Sequence, residues 1–339
     1  MTTTTATTTK PLRIAVLGAA RITPMALLSP AKKVAGVVVC AVVARDRGRA
    51  EQFARKHKIE TIHDRYEALF DDDDVDAIYN PLPNSHHKAL TIQALRAGKH
   101  VLCEKPLAAN ASDARAMHEA AKQSGKILFE AFHWRYHPLA GRVLDDIARL
   151  GKLKRVRASF CIPLPEPGNI RFRKDLAGGA LMDTGCYAVN IARTFCGVAG
   201  TGRALVVDDA RPVLLSPDVD RAFLGRLHTQ EGTAVEIECS LLSSKLLSVR
   251  AQIEGERGSI DVWNPVVPHF FHRLRTRIDG VSSSTSVPGR ATYEHQLEAF
   301  RDACVYGKPF PSTSLDGIDN MATIDALYEK AGMSRRESA

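Results

Sequence analysis

The stretch Val101-Leu102-Cys103-Glu104-Lys105-Pro106 joins a short apolar run to an acid, a lysine and a proline. The run predicts a buried strand, and the proline argues against continuation as a helix. In open α/β sheets, ligands bind just beyond the carboxyl ends of the strands, and Lys105 falls at such an end. Taken alone, Glu104 and Lys105 could equally be a solvated pair before a proline turn. The flanking sequence favours the first interpretation.

The first strand upstream ends in a candidate nucleotide-binding turn. Residues 12–17 are apolar and run directly into Gly18-Ala19-Ala20-Arg21-Ile22-Thr23, with Pro24 suited to a first helical turn. A strand, a tight turn and a helix present backbone N–H groups to a pyrophosphate. Only the first glycine of the pattern G-x-G-x-x-G is present, so a plain βα turn remains an alternative.

The second strand, residues 37–44, ends in Ala44-Arg45-Asp46. An acid at this place usually binds the ribose 2′-hydroxyl of NAD, whereas an arginine suits the 2′-phosphate of NADP. Arg45 therefore favours NADP, with NAD as the alternative. Arg45 could also be a surface residue at the start of a helix over 47–56, which Asp46 could cap.

The next strand, residues 75–80, leads into Pro81-Leu82-Pro83-Asn84-Ser85-His86-His87 and a helix over 88–97. His87 could contact a cofactor from the start of this helix or cap it. A helix over 112–124 and a strand over 127–131 follow Lys105. Strands and helices thus alternate through residues 11–131, which predicts a right-handed, parallel, doubly wound sheet and a dinucleotide-binding domain.

The alternation stops near Phe132, which predicts a second domain over residues 132–333. A helix is predicted over 139–150, and two more close the chain at 293–306 and 315–331. Between them the sequence predicts an antiparallel sheet from β-rich stretches at 155–160, 204–207, 222–227, 234–239, 246–253 and 259–262. The Ser/Gly-rich stretch between Asp279 and Arg290 predicts a mobile loop. A disordered tail is predicted over 1–10 and a frayed one over 334–339.

Two segments of the second half carry candidate site residues. Arg135 and Tyr136 are typical of a polar pocket with apolar walls. His133 and His137 are four apart, but the glutamate of HExxH is missing, so no metal site is predicted.

The second of these segments is Gly178-Gly179-Ala180-Leu181-Met182-Asp183-Thr184-Gly185-Cys186-Tyr187. If a helix begins near Ala180, Asp183 lies in its first turn and Tyr187 lies one turn later on the same face. An acid and a hydroxyl would then point into one cleft. A capping aspartate and a half-buried tyrosine are the alternative.

Composition limits the classes of partner. The 339 residues are 45% hydrophobic and 25% charged, which is typical of a globular protein with room for two cores. The net charge of +8 is spread without interleaved aromatic residues, so a site for an anionic cofactor is favoured over nucleic acid. Seven cysteines form no CxxC pair, which predicts a reduced, cytoplasmic protein. The longest apolar run, residues 34–44, is far below the roughly 20 residues that span a membrane.

Together these motifs resemble the glucose-fructose oxidoreductase and inositol dehydrogenase family (Gfo/Idh/MocA). The resemblance covers roughly residues 11–332 and rests on Ala15-Val16-Leu17-Gly18-Ala19-Ala20, Pro81-Leu82-Pro83-Asn84, Glu104-Lys105-Pro106 and the segment from Gly178 to Tyr187. It implies a Rossmann-type domain followed by an α+β domain. The large open, mostly antiparallel sheet of that second domain would support a homodimer or homotetramer.

The resemblance also implies site residues. Lys105, Asp183 and Tyr187 would form the catalytic group. Tyrosine rather than histidine at 187 resembles the branch with dihydrodiol dehydrogenases, xylose dehydrogenases and sugar ketoreductases, as does Asn169-Ile170-Arg171. The cofactor-binding set would be Gly18, Ala20, Arg21, Ile22, Arg45, Pro81, Leu82, Asn84, His87, Glu104 and Lys105. The substrate-binding set would be Arg135, Tyr136 and Arg171.

The predicted activity is reversible hydride transfer between nicotinamide C4 and a carbinol or carbonyl carbon of a sugar, ketosugar or cyclic diol. Tyr187 would exchange the hydroxyl proton, Lys105 would polarise the oxygen, and Asp183 would orient the substrate or the lysine. A free tyrosine has a pKa of about 10, so Lys105 and the oxidised nicotinamide would have to favour its ionised form. The alternatives are a non-catalytic cofactor-sensing regulator, and an enzyme that keeps NADP bound and shuttles hydride between two sugars.

Overall fold

The computed structural model describes residues 10–164, 166, 168–243 and 247–339. Among these, one sheet is built from six strands of the first half: β1 (Leu12–Leu17), β2 (Val37–Val43), β3 (Thr61–His63), β4 (Ala77–Asn80), β5 (His100–Cys103) and β6 (Leu128–Glu130). All neighbouring strands are parallel, in the order β3-β2-β1-β4-β5-β6. The predicted parallel, doubly wound sheet is thereby confirmed.

Helices join these strands: a π-helical turn (Pro24–Leu28) with α1 (Ser29–Ala31), then α2 (Arg47–His57), α3 (Tyr66–Phe70), α4 (His87–Arg96) and α5 (Ala111–Ser124). The central strands are apolar without alternation because helices cover both faces of the sheet, and Val16, Ile78 and Leu102 are fully buried. The strand order reverses between β1 and β4, so a crevice opens there at the carboxyl ends of the strands.

The second half begins with a 3-10 turn (His133–Tyr136) and α6 (Pro138–Ile147), and it contains α7 (Cys186–Phe195), α8 (Thr292–Tyr306) and α9 (Ser314–Lys330). Its strands are β7 (Leu153–Cys161), β8 (Val206–Ser216), β9 (Val219–His228), β10 (Ala234–Ser240), β11 (Ser248–Gly255), β12 (Gly258–Trp263), β13 (Arg273–Ile278) and β14 (Val281–Thr285). They form one sheet in the order β14-β13-β12-β11-β7-β10-β9-β8, antiparallel except between β7 and β10. The predicted mostly antiparallel second sheet is confirmed.

A hairpin replaces the predicted mobile loop after Asp279. Strand β14 pairs with β13, with Ile278 opposite Val281, and Asp279 and Gly280 form the two-residue turn with φ of 51° and 80°. Such a turn requires positive φ at both central residues, which an Asp-Gly pair supplies. The serines of β14 lie on an exposed edge strand, and the loop interpretation was therefore wrong for residues 281–285.

Helix α7 is the central element of the second half. All ten of its residues are buried, and the helix packs between the eight-stranded sheet and α9. A helix that is buried all round is apolar on every face, as the sequence of α7 largely is. Its burial fixes Tyr187, which lies in its first turn. Helix α8 instead returns to the first sheet, where Leu297 and Phe300 join the core that contains Val16.

The last six residues are mostly exposed, but the buried Arg336 and the Ala339 N–H, which donates to the Ser85 carbonyl at 2.9 Å, attach them to the fold, which argues against the predicted frayed tail. Arg336 is fully buried and donates from Nε to the Gly178 carbonyl at 2.7 Å and from Nη2 to Asp220 Oδ1 at 3.0 Å. Its guanidinium carbon lies 4.3 Å from the centre of the Tyr328 ring. The partner of Arg336 is a buried carboxylate on β9, more than a hundred residues away, so local sequence carries no sign of it. Within the described residues, no helix has the length and apolarity needed to cross a bilayer.

Candidate active site

The turns after four parallel strands share one edge of the first sheet. The Gly18 N–H donates to the Val43 carbonyl at 2.6 Å, which joins the turn after β1 to the end of β2. The Glu104 N–H donates to the Asn80 carbonyl at 3.0 Å, which joins the turn after β5 to the end of β4. The predicted nucleotide-binding turn, the Pro81-Leu82 turn and Lys105 therefore lie side by side.

The turn after β1 fits a close approach by a phosphate group. Gly18 has φ of +77°, which glycine adopts without strain, and a Cβ atom there would lie 2.9 Å from the tip of the Leu82 side chain. Ala20 and Ile22 are half-buried, and helical structure begins immediately after Ile22. Arg21 is 94% exposed at the rim, with Nη1 3.9 Å from Glu166 Oε2. A small turn, a helix N-terminus and an exposed cation suit a pyrophosphate.

Arg45 and Asp46, which follow β2, have different roles. The Asp46 Oδ1 atom accepts a hydrogen bond from the Arg49 N–H at 3.0 Å and caps α2. Arg45 is exposed directly after the strand. It lies near Tyr66, whose pKa is raised by burial and partly lowered again by the Arg45 cation. Asp46 therefore caps a helix, and the exposed Arg45 side chain is accessible to a phosphate.

His87 holds the Pro81-Leu82 turn from within. Its side chain is fully buried, with Nε2 2.8 Å from the Leu82 carbonyl and Nδ1 3.0 Å from the Pro106 carbonyl. Burial lowers the pKa of His87 to about 4, so the ring is neutral at physiological pH. The ring nitrogens of His87 thus face the carbonyls of two loops, so the side chain supports the Pro81-Leu82 turn, and a direct cofactor contact stays a prediction.

Asn84 connects the two halves of the chain. Its Nδ2 atom donates to the Ala177 carbonyl at 3.0 Å, one residue before the glycine pair that leads to Asp183. The turn after β4 is therefore tied to the segment that carries the predicted catalytic acid.

The three predicted catalytic residues meet at this edge. Lys105 Nζ lies 3.1 Å from Asp183 Oδ1, 3.0 Å from the Asp183 carbonyl and 4.9 Å from the centre of the Tyr187 ring. Arg171 Nε donates to the other carboxylate oxygen of Asp183 at 2.7 Å, and its side chain remains 43% exposed. The cluster thus has a half-buried cation, a shared carboxylate and a second cation at its mouth.

Two glycines set the position of Asp183. A Cβ atom on Gly178 would lie 2.5 Å from the Arg171 carbonyl, and one on Gly179, where φ is +132°, would lie 2.2 Å from Asp220 Oδ1. Both positions therefore require glycine. A π-helical turn over Leu181–Gly185 follows and runs into α7, so Asp183 and Tyr187 lie one turn apart as the sequence indicates.

The charges of the cluster are strongly coupled. Burial has the largest single effect and acts to lower the pKa of Lys105, but Asp183, Cys186 and Glu104 together outweigh it and the pKa is raised. Burial acts to raise the pKa of Asp183, but Lys105 and Arg171 together lower it. Burial raises the pKa of Tyr187 well above its ordinary value, and Tyr293 and Glu104 add to the shift. Lys105 is therefore cationic, Asp183 anionic and Tyr187 protonated near neutral pH, so the lysine by itself does not ionise the phenol.

Two residues beside this cluster were missed by sequence reasoning. His133 Nε2 lies 3.0 Å from Tyr187 Oη, and Tyr79 donates its hydroxyl to Glu104 Oε1 at 2.8 Å. His133 follows the carboxyl end of β6, just as Lys105 follows that of β5. That position is the signal in the sequence, because ligands bind beyond the carboxyl ends of parallel strands.

Arg135 and Tyr136 make polar contacts with Asp316 and Ser312, which argues against the prediction that they bind substrate. Arg135 forms a buried ion pair with Asp316 at the start of α9. The Tyr136 hydroxyl accepts the Ser312 N–H at 3.3 Å, and its ring stacks on Phe129. A fully buried carboxylate such as Asp316 requires cationic partners, and this requirement places Arg135 in the protein interior.

Comparisons with known proteins agree with this architecture. The oxidoreductase family model with an NAD-binding Rossmann fold, GFO/IDH/MocA, matches residues 12–132, and the GFO/IDH/MocA C-terminal domain matches residues 142–261. D-xylose 1-dehydrogenase (NADP+) 2 of Haloferax volcanii is 34% identical over 93% of this chain and 96% of its own length. The dTDP-3,4-didehydro-2,6-dideoxy-α-D-glucose 3-reductase of Actinomadura kijaniata is 38% identical over 94% of this chain and 95% of its own.

A solved structure of a related protein is similar to this chain in its three-dimensional fold. The crystal structure of a 3-ketoreductase from Actinomadura kijaniata in complex with NADP and TDP-benzene has a TM-score of 0.84 to this chain. It is 28% identical in sequence and covers 94% of this chain and 97% of that protein. The similarity therefore extends over both sheets.

Proposed function

This chain belongs to the Gfo/Idh/MocA oxidoreductase family, and we propose that it transfers hydride between nicotinamide C4 of NADP and a carbinol or carbonyl carbon of a sugar, ketosugar or cyclic diol. The observation that carries the proposal is the contact of Lys105 with both Asp183 and the Tyr187 ring, at the edge where the Gly18 turn opens. The cofactor, when bound, supplies or accepts the hydride.

The side chains of the cluster divide the remaining work. Tyr187 is protonated near neutral pH and can donate its proton to the oxygen of a carbonyl substrate during reduction. Lys105, held by Asp183, places a positive charge beside the same oxygen and stabilises negative charge that develops there. Arg171 lies at the mouth of the cleft, where it can donate hydrogen bonds to substrate hydroxyl groups.

The cofactor would be held at the turns that share this edge. Gly18, Ala20, Arg21 and Ile22 would contact the pyrophosphate, and Pro81, Leu82 and Glu104 would line the nicotinamide side. Arg45 would meet the 2′-phosphate. The fit rests on the space that Gly18 leaves, the exposed Arg21 and the exposed side chain of Arg45.

An assay of both directions tests the function. Purified protein is supplied with NADPH and a panel of aldoses, ketosugars and 3-keto nucleotide sugars, and with NADP and the matching alcohols and a cyclic trans-diol. Turnover with at least one pair is expected. Tight cofactor binding with no turnover would favour a cofactor-sensing regulator, and nicotinamide absorbance in the protein as purified would favour a sugar-sugar shuttle.

Replacement of Arg45 by Ala is expected to weaken NADP binding by about 10- to 100-fold and to leave NAD binding nearly unchanged. The guanidinium would lose a charge-assisted hydrogen bond to the 2′-phosphate, worth about 1.5–3 kcal/mol. Titration calorimetry with both cofactors measures the change. Arg55→Ala, at an exposed site in the last turn of α2, is the matched control. Equal losses for NAD and NADP would contradict the role of Arg45.

A homo-oligomer through the second sheet is part of the proposal. Helix α7 covers one face of that sheet, and the other face exposes Trp263, which is 48% accessible, together with cross-strand ion pairs such as Arg250 with Asp261. Light scattering after gel filtration is expected to give two or four times the chain mass of 37.0 kDa. A monomer at micromolar concentration would contradict it.

Cysteines without disulfides, among the described residues, support a reducing cytoplasmic location.

A further inference from the structure

We propose that His133 is a positioning residue for Tyr187: its Nε2–H donates a hydrogen bond to the phenol oxygen, so that the phenol proton points to the substrate. This inference rests on the proposed role of Tyr187 in proton transfer. It names the residue that sets the orientation of the Tyr187 O–H bond. The contacts of Lys105 and Asp183 do not determine that orientation.

The contacts of His133 are those of a fixed side chain. It is 2% exposed, with Nε2 3.0 Å from Tyr187 Oη and Nδ1 2.8 Å from Thr292 Oγ1. Thr292 is fully buried at the first turn of α8, and its backbone N–H is directed to His269 Nδ1 at 3.4 Å. The ring of Tyr293 lies against the imidazole, with the ring centres 4.1 Å apart.

The number of protons on His133 and Tyr187 decides which group donates in each hydrogen bond. Burial, with the Lys105 cation, lowers the pKa of His133 to about 3, so the ring is neutral and carries one N–H. Tyr187 also carries one proton. If Nε2 accepted that proton, the phenol could not offer it to a carbonyl oxygen. If Nε2 carries the hydrogen, Nδ1 must accept one, and the Thr292 hydroxyl is the donor at hand.

The same bond has a consequence for the reaction itself. In reduction, the carbonyl carbon receives hydride, the O–H bond of Tyr187 breaks, and the proton goes to the substrate oxygen while the electron pair stays on Oη. A donor already directed at Oη stabilises the phenolate as it forms. In the reverse direction Oη takes the proton back from the alcohol.

Such a donor matters because most neighbouring groups raise the pKa of Tyr187 and so destabilise its phenolate form. The groups that raise the pKa of Tyr187 are Tyr293, Glu104, Cys186 and Asp183, in addition to burial. The groups that favour the anion are the Lys105 ammonium over the ring and the His133 N–H. The charged or titratable groups that face His133 are Lys105, His269, Tyr187 and Tyr293.

Nitrogen NMR of ¹⁵N-histidine-labelled protein tests the tautomer without any turnover. The His133 signal is identified by its loss in His133→Gln. We expect a neutral ring with the proton on Nε2 through the neutral pH range, and Thr292→Val should shift the population toward Nδ1–H. A wild-type ring with its proton on Nδ1 would overturn the proposal, even if the protein proves to be an active reductase.

Kinetics test whether the bond acts through Tyr187. His133→Met, which removes the donor, is expected to lower kcat about 10- to 100-fold, with much smaller changes in KM and in NADP affinity. The alkaline-rising limb of the oxidation profile should move up by about 1 to 2 pH units. His133→Gln places an amide donor near the Nε2 position and should restore much of kcat.

A double substitution separates positioning from simple support of the fold. In the Tyr187→Phe background, His133→Met should cause little further loss, because the group that it positions is gone. An additive loss, or an unshifted pH profile, would overturn the proposal. If the wild-type protein turns over no substrate, the proposed function fails, and the NMR result still decides the hydrogen bond.

Discussion

Replacement of Tyr187 by Phe is expected to lower kcat by about 10²- to 10⁴-fold with the best substrate of the panel, the usual contribution of a positioned acid or base. The phenol is the protonated group of the cluster near neutral pH, because burial and neighbouring Tyr293 and Glu104 raise its pKa. Lys105 cannot replace it as the acid, because Asp183 raises the pKa of that ammonium. Initial rates of NADPH oxidation at saturating substrate measure the effect.

The substitution leaves the surroundings of residue 187 intact. The ring packs edge-on against Phe132, with the ring centres 5.3 Å apart, and against Phe160 at 5.2 Å, and phenylalanine keeps both contacts. The hydroxyl contacts His133. The melting temperature and NADP affinity of Tyr187→Phe should therefore stay close to those of the wild type. Unchanged turnover in a folded, cofactor-binding variant would show that another group exchanges the proton.

The site was partly predictable because some of its residues stand in local sequence patterns. Lys105 comes directly after a buried parallel strand, and Asp183 and Tyr187 are one helical turn apart, so both patterns are local. Their assignment to one catalytic group came from the resemblance to the Gfo/Idh/MocA family, because no local pattern brings a helix of the second half to the end of a strand in the first sheet. His133 contacts Tyr187 across 54 residues and Thr292 across 159, and no local pattern encodes such contacts. The same limit explains why Arg135, which pairs with Asp316, was placed in the pocket.

The fold was predictable in those parts of the chain where the pattern of apolar residues is strong. Uninterrupted apolar strands alternating with helices indicate the parallel sheet, and a helix over Pro138–Ile147 and strands from Leu153 onward have clear periods. In β14 four of the five side chains are serine or threonine on an exposed edge, so the apolar signal is weak and the Asp279-Gly280 turn is the indication of a hairpin. Polarity alone predicts a loop there, which is why the strand was missed.

Replacement of Arg336 by Met is expected to lower the free energy of unfolding by about 3–5 kcal/mol, because it leaves Asp220 buried without its cation. Both side chains are fully buried, and Asp220 Oδ2 also accepts the Leu181 N–H at 2.7 Å. Burial already raises the pKa of Asp220. Loss of the guanidinium should raise it further, so the deficit should be small in acid and grow as the pH rises through neutrality. Urea unfolding at several pH values measures this dependence.

Arg335→Met, at the exposed neighbouring position, is the matched control and should change stability by less than about 0.5 kcal/mol. Arg336 also holds the Gly178 carbonyl, and Asp220 holds the start of the turn that carries Asp183. The Arg336→Met variant should therefore lose kcat even at temperatures where it is fully folded, and adding Asp220→Asn should recover stability by removing the unpaired charge. A variant as stable as Arg335→Met would show that Asp220 needs no cation, and that the last six residues do not hold the Gly178 segment in place.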